Sequence, residues 1–158
     1  MKNLHDHLRQ LWILPLFLVA ACSGPLGPFS GGALGGEEHA GQVTDWSFAA
    51  DLETIELETN PTDPHSVHTW IGVVDGIAYI PTSLILGAEN PAEREWVRNV
   101  TADANVRLGI EGKVYSAKLV KISNADEINT AKQVLLKKYA EETTAQTDGA
   151  WIYRVLSN

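Results

Sequence analysis

The chain has 158 residues, enough for one domain. Its 44% hydrophobic and 20% charged residues exclude a disordered chain, a collagen-like fibre and a multi-span membrane protein. A formal net charge of -8, from 12 basic and 20 acidic residues, repels a phosphate backbone and argues against nucleic acid as a partner. The single Cys excludes an intrachain disulfide and a Cys-rich zinc site.

The first element is not part of the fold. Lys2, Arg9 and the α-amino group outweigh Asp6, and an apolar run follows from Leu11 to Ala21. As a helix that run rises about 16 Å, too short for a hydrocarbon core of ~30 Å. Pro15 also interrupts it. A basic start, a short apolar centre and small closing residues predict a signal peptide over residues 1–21. The only Cys follows directly, in Leu18-Val19-Ala20-Ala21-Cys22. This run resembles the lipobox of bacterial lipoproteins. The resemblance implies lipidation of Cys22, a membrane partner reached through that lipid anchor, and an extracytoplasmic location at the periplasmic face. In a Gram-negative cell it implies the outer membrane. Residues 22–41 are Gly-, Pro- and Ser-rich without periodicity, which predicts a flexible tether spanning about 24 Å. The signal has no twin-arginine motif and resembles those of the general secretory route, which implies that the chain crosses the membrane unfolded and acquires any cofactor outside the cytoplasm.

The folded domain is expected over 42–158. Trp46–Leu52 reads as a strand or a short helical turn. Thr54–Thr59 alternates apolar and acidic residues and predicts a half-exposed strand. Asn60–Pro64 is a loop. Ser66–Val74 and Ile77–Pro81 flank Asp75-Gly76, a type I′ hairpin signal, and Gly72 suggests a bulge or a close backbone approach. A helix capped by Asn90, with Pro91 in its first position, is predicted to run to Val100 or Ala102. Asn105–Ile110 and Lys113–Ile122 flank Glu111-Gly112 in a second hairpin. A helix from Ser123 or Asn124 to about Thr143 places Ile128, Ala131, Val134 or Leu135, and Tyr139 on one face. Ala150–Leu156 is the last strand. Antiparallel strands with two inserted helices predict an α+β fold: a Greek-key split β-barrel of about six strands.

Three features carry a resemblance: Ile80-Pro81-Thr82-Ser83 after the Asp75-Gly76 hairpin, Pro91 to Trp96-Val97-Arg98-Asn99, and Asp103 to Tyr115; a helix ending Lys137-Lys138-Tyr139 and the closing strand Ile152–Val155 also match in order. Together they resemble the pyridoxamine-phosphate-oxidase-like split barrels and, within them, the deazaflavin-dependent nitroreductase and quinone reductase family. The resemblance implies FMN or deazaflavin F420 as cofactor, in a groove at a homodimer interface. Thr82 and Ser83 would bond the cofactor, Trp96 and Asn99 would line or support its pocket, and Ser66 and His68 would face its tail. No catalytic side chain is required, because the cofactor carries the hydride chemistry. Deazaflavin-binding relatives have Gly-Arg-Lys-Ser-Gly before the first hairpin. Here Asn60–Ser66 holds an Asp and no permanent cation, so Arg94, Arg98, Arg107 and Lys113 are the candidates to hold phosphate.

Plainer readings stand beside these. His68 also reads as a rim residue bonded to a backbone carbonyl, and Thr82-Ser83 as ordinary turn chemistry. Asp63-x-His65-x-x-His68 places its two His on opposite faces of a strand, which speaks against a metal site. Three functions follow: a membrane-anchored flavin or deazaflavin oxidoreductase acting on quinones or nitro compounds, a non-catalytic lipoprotein binding haem or another small-molecule ligand, or a structural and assembly lipoprotein.

Overall fold

A computed structural model describes residues 24–82, 90–139 and 149–158. The signal peptide, Cys22, Ser83 and the expected last turn of the second helix lie outside the described residues.

The described residues form eight strands and two α-helices: β1 (Glu37–Glu38), β2 (Thr54–Thr59), β3 (His65–Trp70), β4 (Gly72–Val74), β5 (Ile77–Pro81), α1 (Glu95–Ala102), β6 (Asn105–Ile110), β7 (Lys113–Lys121), α2 (Ala125–Lys138) and β8 (Ile152–Ser157). Their order across the sheet is β3-β2-β6-β7-β8-β5-β4, with β1 parallel to β7 and the other pairs antiparallel. β5 lies beside β8 with β7 and β6 beyond it, a Greek-key order. The curled sheet and its two helices form an α+β split barrel.

Both hairpin turns follow from residues that tolerate left-handed backbone. Asp75 and Gly76 have φ of 49° and 76°, and Glu111 and Gly112 have 50° and 78°. Inward residues such as Leu57, Ile80, Leu108 and Leu119 are fully buried. Each removes apolar area worth about 1.5–3 kcal/mol from water. Trp46, on a 3-10 turn at Ser47–Ala49, closes one end of this core.

More strands form than the six expected, for two reasons. One is the short β1. The other is a break in the expected strand 66–74 at Ile71, where the chain leaves the ladder. There α2 supplies what the ladder does not. The Ile71 N–H donates to Tyr139 Oη at 3.1 Å, and the Ile71 carbonyl accepts from Lys138 Nζ at 2.8 Å. The next residue, Gly72, lets α2 approach: a Cβ there would lie 2.9 Å from Leu135 Cδ2. β3 and β4 are the two ends of the sheet path, and this bend brings them around the barrel.

The first helix also differs from expectation. Asn90 caps a 3-10 turn at Pro91–Glu93, accepting from the Ala92 N–H at 3.3 Å. Arg94 is then extended (ψ 132°), and α1 starts only at Glu95.

The stretch expected to be a flexible tether lies on the barrel in its described part. The Leu34 N–H donates to Glu58 Oε2 at 2.5 Å, and Leu34 is buried. Arg107 Nη1 reaches both Glu58 oxygens at 3.0 and 2.9 Å, and Arg107 Nη2 bonds Glu38. Gly31 exchanges both backbone hydrogen bonds with Ser66, at 2.8 and 2.9 Å. A buried carboxylate demands donors, and this strap with Arg107 provides them to Glu58. Composition alone reads as tether because the apolar content of the strap is small and its docking is polar and long-range.

Candidate functional site

β3, the end of β5 and the start of α1 converge on one groove. Its wall on the strap side is a tight turn in which Leu26 and Phe29 exchange backbone hydrogen bonds, both 3.1 Å, with Gly27 at φ 57°. The groove has a volume of about 370 Å³ and is lined by His68, Trp70, Thr82, Arg94, Trp96 and Phe29, among others. That volume is in the lower part of the range that holds small organic ligands.

Arg94 is the electrostatic feature of this groove. Its Nε is buried and has no hydrogen-bond partner. Among the described residues its guanidinium pairs with no carboxylate. A buried donor costs free energy unless something accepts from it. An anion entering the groove would meet the Arg94 side chain, which lines it. The extended backbone at Arg94 is what frees the side chain from the helix that follows.

The structure brings together three of the six residues expected to bind cofactor. Trp96 is buried, edge-on to Tyr153 with centroids 5.4 Å apart, and also lines the groove. Thr82 lines it too, but its hydroxyl accepts from the Trp151 N–H at 3.0 Å while its own N–H donates to the Trp151 carbonyl at 2.9 Å. Its hydroxyl therefore pins β5 to the segment before β8. His68 is exposed at the rim, with Nδ1 3.1 Å from the Gly27 carbonyl oxygen.

Two others stand apart. Ser66 is fully buried, its backbone paired with Gly31 and its hydroxyl without a partner, so it is closed to a ligand tail. Asn99 supports rather than lines: its Nδ2 donates to Thr59 Oγ1 at 3.0 Å, tying α1 to β2. Ser83 lies outside the described residues. His65 and His68 have separate partners, with His65 Nε2 3.5 Å from Glu95 Oε2. No group of three or more potential metal ligands occurs among the described residues.

Of the four cations proposed to hold phosphate, the geometry separates Arg94 from the rest. Arg107 is occupied by Glu58 and Glu38, and Arg98, whose Nη1 bonds the Glu93 carbonyl, does not line the groove. Lys113 sits beside the second turn, away from the groove. Trp70 and the Gly27–Phe29 turn were not legible as lining residues. Their placement depends on the bend at Ile71 and on the docked strap.

No protein-family model and no curated protein matches this sequence. Solved structures do match in fold. An F420-H2-dependent reductase is 17% identical, over 66% of this chain and 94% of that one, with a TM-score of 0.52. A FAD-binding protein from Mesorhizobium loti is 11% identical, over 69% of this chain and 83% of that one, with a TM-score of 0.50. A domain-swapped dimer is 16% identical, over 66% of this chain and 81% of that one, with a TM-score of 0.52. At these identities the likeness establishes the split-barrel fold.

Proposed function

We propose that the chain is a flavin- or deazaflavin-binding split-barrel protein of the oxidoreductase type, which holds FMN or deazaflavin F420 in the groove beside Arg94. The observation that carries this reading is Arg94, which lines a groove walled by Trp96 and Trp70 and, among the described residues, pairs with no carboxylate. The guanidinium would hold a phosphate or other anionic part of the cofactor, and the indoles would border its flat ring. The bound cofactor would supply hydride transfer, while the protein positions it and limits water. Likeness in fold to an F420-H2-dependent reductase and to a FAD-binding protein supports the cofactor class. Likeness to a domain-swapped dimer supports a homodimer. The lipobox-like run at Cys22 supports a lipid anchor at the periplasmic face.

The test is a titration of the full chain, in detergent, with FMN, F420 and haem, followed by absorbance and cofactor fluorescence. FMN or F420 should bind at micromolar concentration. Arg94→Gln should weaken that binding by about 10-fold to 100-fold, the loss expected for one charge-assisted hydrogen bond worth ~1.5–3 kcal/mol. Haem binding without flavin binding, or an affinity unchanged by Arg94→Gln, would overturn the proposal.

A further inference from the structure

A second cleft lies on the other flank of α1. Its volume is about 570 Å³, larger than that of the groove beside Arg94. Val97, Val100 and Tyr153 form its apolar floor, and Arg98, Lys121 and Trp151 stand around it. Trp96, edge-on to Tyr153, lies between the two sites and lines only the first.

The charges around this cleft are out of keeping with the rest of the molecule. Acidic residues outnumber basic ones 20 to 12 in the chain. Yet among the described residues neither Arg98 nor Lys121 forms an ion pair. The Lys121 ammonium instead lies 3.1 Å from the centroid of the Trp151 ring. Lys121 is exposed as a residue, and the partial burial of its ammonium pushes its pKa down. Tyr153 is buried, and its phenol is pushed up by that burial. An apolar floor with two cations at the margin complements a molecule with an apolar body and one negative end.

We propose that this cleft is a second ligand site, distinct from the cofactor groove, which takes a small aromatic organic anion of the carboxylate or sulfonate class. The apolar body would rest on Val97, Val100 and Tyr153. The anionic group would reach Lys121 and Arg98, and the Trp151 indole would border the bound ring. Arg98 and Lys121 are both exposed, so their neutral replacements do not threaten the fold.

The test uses two naphthalene probes of similar shape on the full chain: the sulfonate 8-anilinonaphthalene-1-sulfonate and the uncharged N-phenyl-1-naphthylamine. The sulfonate should bind as one equivalent, with energy transfer from tryptophan that falls in Trp151→Phe. The Lys121→Gln/Arg98→Gln double variant should weaken the sulfonate by about tenfold or more and the uncharged probe by less than about twofold. Arg94→Gln should leave both probes unaffected, which separates this site from the cofactor groove. The proposal fails if the sulfonate does not bind, if the double variant weakens both probes equally or neither, or if Arg94→Gln is the substitution that releases the sulfonate.

Discussion

Gly72 is the point where α2 meets the sheet, and its substitution by Ala tests the packing there. A Cβ at Gly72 would lie 2.9 Å from Leu135 Cδ2, 3.1 Å from Leu135 Cγ and 3.5 Å from Val134 Cγ1. The first distance is below any ordinary contact. Leu135 is fully buried, so it has no solvent to swing into. Overpacking of this kind costs about 1–3 kcal/mol. Replacing Gly restricts the unfolded chain and returns about 0.4–1 kcal/mol. Gly72→Ala should therefore lose about 1–2 kcal/mol. Leu135→Ala alone should lose about 2–5 kcal/mol through the cavity it leaves. In that second background the new methyl has room, so Gly72→Ala should become neutral or stabilise by about 0.5 kcal/mol. The coupling between the two sites should be about 1–2.5 kcal/mol. Urea unfolding of the four proteins, followed by tryptophan fluorescence, measures it. Additive effects would refute the close contact between α2 and β4.

Tyr139→Phe should destabilise by about 1–3 kcal/mol, because the buried Ile71 N–H loses its acceptor. Amide exchange at Ile71 should accelerate, and an unchanged exchange rate would contradict the bond. Alkaline pH provides a further check. Burial, and then Glu127 with its hydrogen bond, push the Tyr79 phenol above its ordinary 10.0, and burial alone pushes Tyr153 up. A raised folded value favours the protonated phenol in the fold, so this stability is complete below pH 10.0 and drains as pH climbs through the folded values. Urea midpoints should fall above that pH, and Tyr153→Phe should flatten the fall. Equal slopes in the two proteins would count against a buried phenol.

Local chemistry was legible where neighbours in sequence decide it. Asp75-Gly76 and Glu111-Gly112 form the turns their residue types favour, and Asn124 caps α2 by accepting from two backbone N–H groups. The face of α2 follows its period, with Ala131, Leu135 and Tyr139 buried. What remained hidden depends on distant partners. The break at Ile71 is stabilised by side chains nearly seventy residues away. Strap docking depends on Glu58, whose alternating strand reads as solvent-facing. Arg94 could not be told from Arg107 by spacing, since only the fold shows that Arg107 is consumed by two carboxylates. Thr82 was read for its hydroxyl, which the fold spends on the Trp151 backbone instead.

The docked strap leaves almost no slack. Gly24 already lies against Gly31 and close to Glu56, and Cys22 is only two residues upstream. Two extended residues reach about 7 Å. The described residues from Gly24 to His39 are therefore held against the barrel and add no free length between it and the residues before them. The exposed Leu26 and Phe29 are thereby held at one fixed place on the barrel, beside the groove.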